Sequence, residues 1–282
     1  MYLRIDMLKL IFLMSIVFNF ALAQKSDFSL AEARLMKEEA MRLWQRRDDQ
    51  SSLEQSLSNF EKVHQVNTQD LEILTYLARG YYLLADLHLD NEALKMKNFE
   101  TARLFGELGL MLNPHYRKLI KDNTEMAIDK LTEKEAPILF WTAASLGKWA
   151  KLYGIMSSLK YKAQIILMIK KAEQLKPEYF YGAIPRYWGE YYAAIPAIFG
   201  TNSEIEKSQK YFKKAMDAAP EYLGTKNLYA QFYLVKKEDK RGFRKTMEEV
   251  LKAPNGPIEI TPENLLEKLR ADKLLEKMDD LF

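Results

Sequence analysis

Residues Gly182 to Tyr222, GAIPRYWGEYYAAIPAIFGTNSEIEKSQKYFKKAMDAAPEY, read as one helical hairpin with a stop at each end. Pro185 fits the first turn of a helix, where its missing N–H would have no partner anyway. Trp188, Tyr191, Tyr192 and Ile195 then recur at helical spacing, and Pro196 and Gly200 break the run. Asn202 or Ser203 suits the cap of a second helix, and Glu206 follows Ser203 at capping-box spacing. Ile205, Ser208, Phe212, Ala215 and Met216 give this helix an apolar or small stripe, which Ala218-Ala219-Pro220 closes. The order Ser208, Phe212, Ala215, Pro220 is the grammar of the second helix in a tetratricopeptide unit. The small residue lets two helices approach, the aromatic fills the groove between them, and the proline ends the unit.

The pattern recurs. Ser56, Phe60 and Val63 repeat it with Thr68 in place of the proline, and Ala102, Phe105 and Leu108 precede Asn113-Pro114. Working outward, the periodicity predicts helices over Ser26 to Arg47 (capped by Ser29 with Glu32), Ser52 to Val66, Leu71 to Leu89 and Phe99 to Leu112. Arg46-Arg47-Asp48-Asp49 reads as a solvated turn, and Asp90 to Asn98 as a polar insert. Further helices are expected over Tyr116 to Leu131, Pro137 to Met156 (apolar enough to be buried on most sides) and Tyr161 to Leu175. Thr132 and Glu135 have capping-box spacing before Pro137. Tyr222 to Val235 and Lys240 to Ala253 form a last hairpin, and Thr261 begins a final amphipathic helix through Leu281. The stops at Thr68, Pro114, Pro177, Pro220 and Pro254 are unevenly spaced, and only the last interval matches the usual repeat of about 34 residues. The expected fold is all-α: an irregular TPR-like solenoid of stacked antiparallel helix pairs with a C-terminal capping helix.

The totals agree. The chain has 282 residues, 48% hydrophobic and 29% charged, which is globular and not disordered. Its 42 basic and 39 acidic residues are interleaved, for a net charge of +3, which argues against a nucleic-acid partner. Only 11 glycines leave few turns for a strand-rich fold. Arg4 and Lys9 precede an apolar run from Leu10 to Ala23 that ends Ala21-Leu22-Ala23, a small-x-small signal. Residues 1–23 therefore read as a cleavable signal peptide, cut after Ala23, and 24–282 as one solenoid domain. There is no cysteine, hence neither a disulfide nor a lipidation site, and the expected location is the periplasm.

Two stretches carry a family resemblance. Pro137, Leu139, Phe140, Trp141, Ala143 and Ala144 form one signature; Glu206, Lys207, Ser208, Phe212, Ala215, Pro220 and Tyr222 form the other, after an aromatic helix and a short glycine-containing loop. In these the sequence resembles the T-component of TRAP transporters, the TatT family. The resemblance implies a helical-repeat protein that assembles as a homo-trimer and docks the solute-binding (P) subunit of a TRAP uptake system. Some family members carry a lipid on an N-terminal cysteine, which this chain lacks. Phe199-Gly200-Thr201-Asn202 holds one glycine where many relatives look richer.

No catalytic or metal motif emerges. His64, His88 and His115 fit no ligand spacing and read as helical surface positions; no phosphate loop or nucleophile elbow occurs. The reading is a protein that is not an enzyme, with no cofactor and no metal. Four Trp and 16 Tyr are generous, and Trp141, Trp149, Trp188, Tyr191 and Tyr192 fall in or beside the signatures. Core packing accounts for such stripes; the sharper reading places some on a concave face that meets a partner. Arg186 and Glu190, one turn apart, are either a weak surface pair or a concave-face pair that steers an acidic or polar ligand. These seven residues are the candidate site. The expected ligand, where there is one, is a small hydrophobic molecule or organic acid. A general periplasmic TPR scaffold for envelope assembly is the alternative function.

Overall fold

The computed structural model describes residues 30–195 and 202–282. Among them every regular element is helical and no strand occurs. Helices α1 (Leu30–Trp44) and α2 (Gln50–Val66) form the first hairpin; the Asp49 carboxylate accepts the Ser52 N–H and so starts α2. Asp70 caps α3 (Leu71–Leu83) in the same way, and α3 widens into a π turn over Leu84–His88. Helix α4 (Glu92–Leu110) completes the second pair. The expected polar insert at Asp90 to Asn98 is thus mostly helix, because Asn91 accepts the Leu94 N–H and nucleates α4 early.

Two short helices, α5 (Pro114–Leu119) and α6 (Thr124–Asp129), replace the single helix expected over Tyr116 to Leu131. The Asn123 side chain accepts the Met126 N–H and begins a second helix there. A local side-chain bond has outcompeted continuation of the first helix. The capping pair is present: Glu135 accepts both the backbone N–H and the hydroxyl of Thr132, at 2.8 and 2.7 Å.

The apolar stretch becomes α7 (Ala136–Tyr153), paired with α8 (Ile155–Leu175). Gly154 alone parts them, at φ +130°, where a side chain would be strained. Most of α7 is buried as expected, but its last residue, Tyr153, is 62% exposed. Helices α9 (Ala183–Ala194) and α10 (Asn202–Ala218) form the hairpin quoted first. The expected breaks at Pro196 and Gly200, the signal peptide and the Ser29 cap lie outside the described residues. Then come α11 (Leu223–Leu228), a π turn over Tyr229–Leu234, α12 (Lys240–Lys252), α13 (Thr261–Glu276) and α14 (Met278–Leu281).

The repeat is visible in one bond made twice. The Ser56 hydroxyl donates to the Ala40 carbonyl, and the Ser208 hydroxyl to the Gly189 carbonyl, each at 2.8 Å and each buried. Beside them Phe60 and Phe212 are fully buried. Phe212 packs directly on the α9 backbone; a Cβ on Gly189 would stand 2.8 Å from its ring. Small residues and an aromatic thus set the close approach of each pair, as the sequence pattern demands.

Helix α13 departs from expectation. Besides packing on α11 and α12, it turns back to the N-terminal half. Glu263, fully buried, accepts from Arg47 at 2.9 and 2.5 Å and from Arg79 at 2.5 Å. Arg47 is 2% exposed, so one member of the charge run at Arg46 to Asp49 leaves the solvent, while Arg46 and Asp49 stay exposed in a turn as expected. A buried guanidinium demands a partner, and the partner comes from the far end of the chain. His88 is half-buried, with Nε2 2.9 Å from the Arg47 carbonyl, and His64 is half-buried as well; neither is a surface residue.

Candidate functional site

A cavity of about 380 Å³ opens where α3 and its π turn, α7, α8, α9, α11 and α13 converge. Trp141 and Lys148 come from one face of α7, seven residues and two turns apart. Helix α9 contributes Arg186 with Glu190 and Tyr187 with Tyr191, each pair one turn apart. Asp86 arrives from the π turn, whose extra residue re-aims the side chains that follow it. Phe140, Ala144, Ile165, Ile166 and Leu228 make the apolar lining.

The polar wall is a chain of alternating charges. Arg270 donates to Asp86 at 2.8 Å; Lys148 stands 3.6 Å from Asp86 and 3.3 Å from Glu190; Arg270 also meets Glu267 at 3.4 Å. Asn227 donates to the Glu267 carboxylate at 2.7 Å. Burial alone would push the Asp86 carboxyl up, but Arg270 and Lys148 more than offset this and hold it well below the usual carboxylate range. Burial likewise works against the Lys148 cation, yet Glu190, Tyr82 and Asp86 raise its pKa. Burial and the nearby carboxylates keep the Tyr82 hydroxyl protonated far above its ordinary value. Asp86 and Lys148 therefore both carry their charges around neutral pH.

Arg186 differs from Lys148 and Arg270. It is 8% exposed, and its guanidinium donates to the Tyr181 carbonyl at 2.9 Å and the Thr225 hydroxyl at 3.2 Å, 4.3 Å from the centre of the Tyr222 ring. No carboxylate of the described residues neutralises it. Lys151 and Lys162, also on the lining, have no acid partner among the described residues either and lie near the Phe232 and Tyr191 rings. An apolar chamber with surplus cations suits a small molecule that has an apolar body and an acid group.

A family model described as the TRAP transporter T-component matches residues 60–282. The chain belongs to the TRAP transporter T-component family. No curated protein matches it. The match to the T-component takes in every residue of the cavity lining, from Tyr82 to Arg270.

Of the seven residues singled out in this T-component's sequence, four share the cavity: Trp141, Arg186, Glu190 and Tyr191. Trp141 is 3% exposed, and its Nε1 donates to the Tyr179 hydroxyl at 2.7 Å. Arg186 and Glu190 are not bonded to each other; Glu190 takes Lys148 instead. The other three are packing residues. Trp188, 4% exposed, donates from Nε1 to Glu173 at 3.0 Å. Tyr192 stacks on Tyr211, with centroids 5.6 Å apart. Trp149 packs against the core with Arg103 over its ring, 5.6 Å from the centre. Sequence reasoning missed Asp86, Lys148, Glu267 and Arg270. Two of them left a trace: Asp86 and Lys148 are each a lone charge inside an apolar run, YYLLADLHL and AASLGKWA. Such a charge, bound for the interior, needs a partner or a task. Among the described residues no group of three or more His, Asp and Glu side chains is placed to hold a metal ion, and no helix is long and apolar enough to cross a membrane.

Proposed function

We propose that the protein is an exported, periplasmic accessory subunit of a TRAP-type uptake system. In this reading it docks the solute-binding subunit and holds a small, partly apolar acid in the cavity. The observation that carries the ligand half is Arg186: a buried cation with neutral partners, facing an apolar chamber. A ligand carboxylate would complete it with a charge-assisted bond. Tyr181, Thr225 and Tyr222 already fix the guanidinium, so little ordering is lost on binding. Trp141, Tyr187 and Tyr191 would cover the ligand's apolar body, at roughly 25 cal/mol for each Å² removed from water. Family membership supports the docking half, in which a preformed curved surface meets the partner without folding first. The trimer comes from the resemblance.

The test is direct. Protein purified without denaturation is extracted with solvent, and the released small molecules are identified by mass spectrometry. An organic acid released by the wild type and not by Arg186→Gln is the expected result. Its absence from both would sink the ligand half. Failure to recover a solute-binding subunit from periplasmic extract, under conditions that keep weak complexes, would sink the docking half. Light scattering decides the trimer.

A further inference from the structure

The turn joining α7 to α8 is the most apolar exposed point of the described surface. Ten large apolar side chains are exposed among the described residues, and four of them fall within seven positions here. Tyr153 and Leu159 are each 62% exposed, Met156 75% and Ile155 76%. Exposure so high means that nothing beside them forms a groove wall; they crown a turn. Such a cluster, rimmed by polar groups, marks a contact surface.

Charge says what it contacts. From Ala136 to Ala172 the chain has six lysines and no acid, in a protein whose net charge is only +3. Lys151, Lys160 and Lys162 ring the apolar tip, all exposed, and none has a carboxylate partner among the described residues. On neighbouring α4, Glu100 and Glu107 are both engaged by Arg103, at 3.9 and 2.6 Å. The field around the tip is thus positive.

We propose that this tip seats in the surface of an anionic lipid bilayer. The four apolar side chains enter the boundary between headgroups and acyl chains, and the lysine stems reach back to the phosphates. A soft anionic surface accepts a projecting apolar turn with flexible cations around it and needs no matching pocket. Lys151, Ser158 and Lys162 also line the cavity, so a seated tip brings the cavity rim to the lipid. The proposal goes beyond the docking and ligand reading and does not rest on it.

The experiment is co-sedimentation with phosphatidylcholine vesicles, with and without phosphatidylglycerol. It uses the chain from Gln24 on, which contains every described element and none of the apolar N-terminal run. Binding is expected only with phosphatidylglycerol and is expected to fall as salt rises. Replacing Ile155 and Leu159 together by serine should weaken it at least tenfold. Lys160→Gln and Lys162→Gln should each weaken it about fivefold. These positions are exposed, so the variants should keep the wild-type melting temperature. Because the chain has no cysteine, Met156→Cys also places a single environment-sensitive dye at the tip. Its emission should shift to the blue on anionic vesicles, while a dye at Met126→Cys, 50% exposed on α6, should not shift. Absence of vesicle binding overturns the proposal, as does equal binding by the serine variant. So does a tip substitution that dissociates an oligomer in light scattering while vesicle binding is absent, since that makes the tip a protein contact.

Discussion

Arg47 and Glu263, 216 positions apart, share two hydrogen bonds in the interior, at 2.9 and 2.5 Å. Arg79 adds a third from the side. Replacing Glu263 by alanine strands two guanidinium groups away from water. The expected loss is about 3–5 kcal/mol in urea unfolding. Glu39→Ala, which breaks an exposed pair with Arg42, should leave the urea midpoint almost unchanged. Equal losses from the two variants would show that the buried pair has no special weight.

Acid should undo the same contacts. Burial works against both the Asp86 and Glu263 carboxylates, but neighbouring cations hold both pKa values below the ordinary range. A carboxyl whose pKa is lowered by folding contributes stability above its unfolded value of about 4, and that contribution drains as pH falls toward the folded value. The urea midpoint should therefore fall steeply below about pH 4. In Asp86→Asn, less stable at neutral pH, the decline should be shallower. A decline as steep as that of the wild type would exclude Asp86 as a source.

Ser56→Ala and Ser208→Ala each remove one buried bond to a facing helix, at about 1 kcal/mol. They sit in separate hairpins with no shared partner, so their costs should add to within about 0.5 kcal/mol in the double variant. A larger coupling would mean that the two hairpins do not behave as separate units.

Arg186→Gln should lower affinity for the co-purifying acid at least tenfold, the weight of a bond to a charged group. Trp149→Phe, outside the cavity, should leave it unchanged. Titration calorimetry with the extracted compound measures both, and similar losses in the two variants would place the ligand elsewhere.

What the sequence disclosed followed its periodicity. Ser208, Phe212 and Ala215 announced a tight helix pair, and the pair is there, because local spacing dictates which faces meet. Trp141, Arg186, Glu190 and Tyr191 were chosen from the same local patterns and meet at the cavity. Asn91 and Asn123 were misread, since a single amide deciding where a helix begins leaves little trace in an apolar period. Arg47, Asp86 and Arg270 were out of reach for a different reason. Each is explained by a partner some 180 to 216 positions away, and no helical or strand period reports that distance. The π turn that delivers Asp86 has no sequence signature either.

A row of repeats open at both ends comes apart piecemeal, since every unit touches only its neighbours. Here the penultimate helix is fastened to the α1–α2 turn and to α3 with its π turn, so the first hairpins and α13 cannot open independently. Cutting the chain after Pro257 would not merely shorten it by one unit; it would leave two arginines without a counter-charge inside the first hairpins. Loss of the tail should thus melt the head, and one cooperative transition should replace the stepwise melting of an ordinary array.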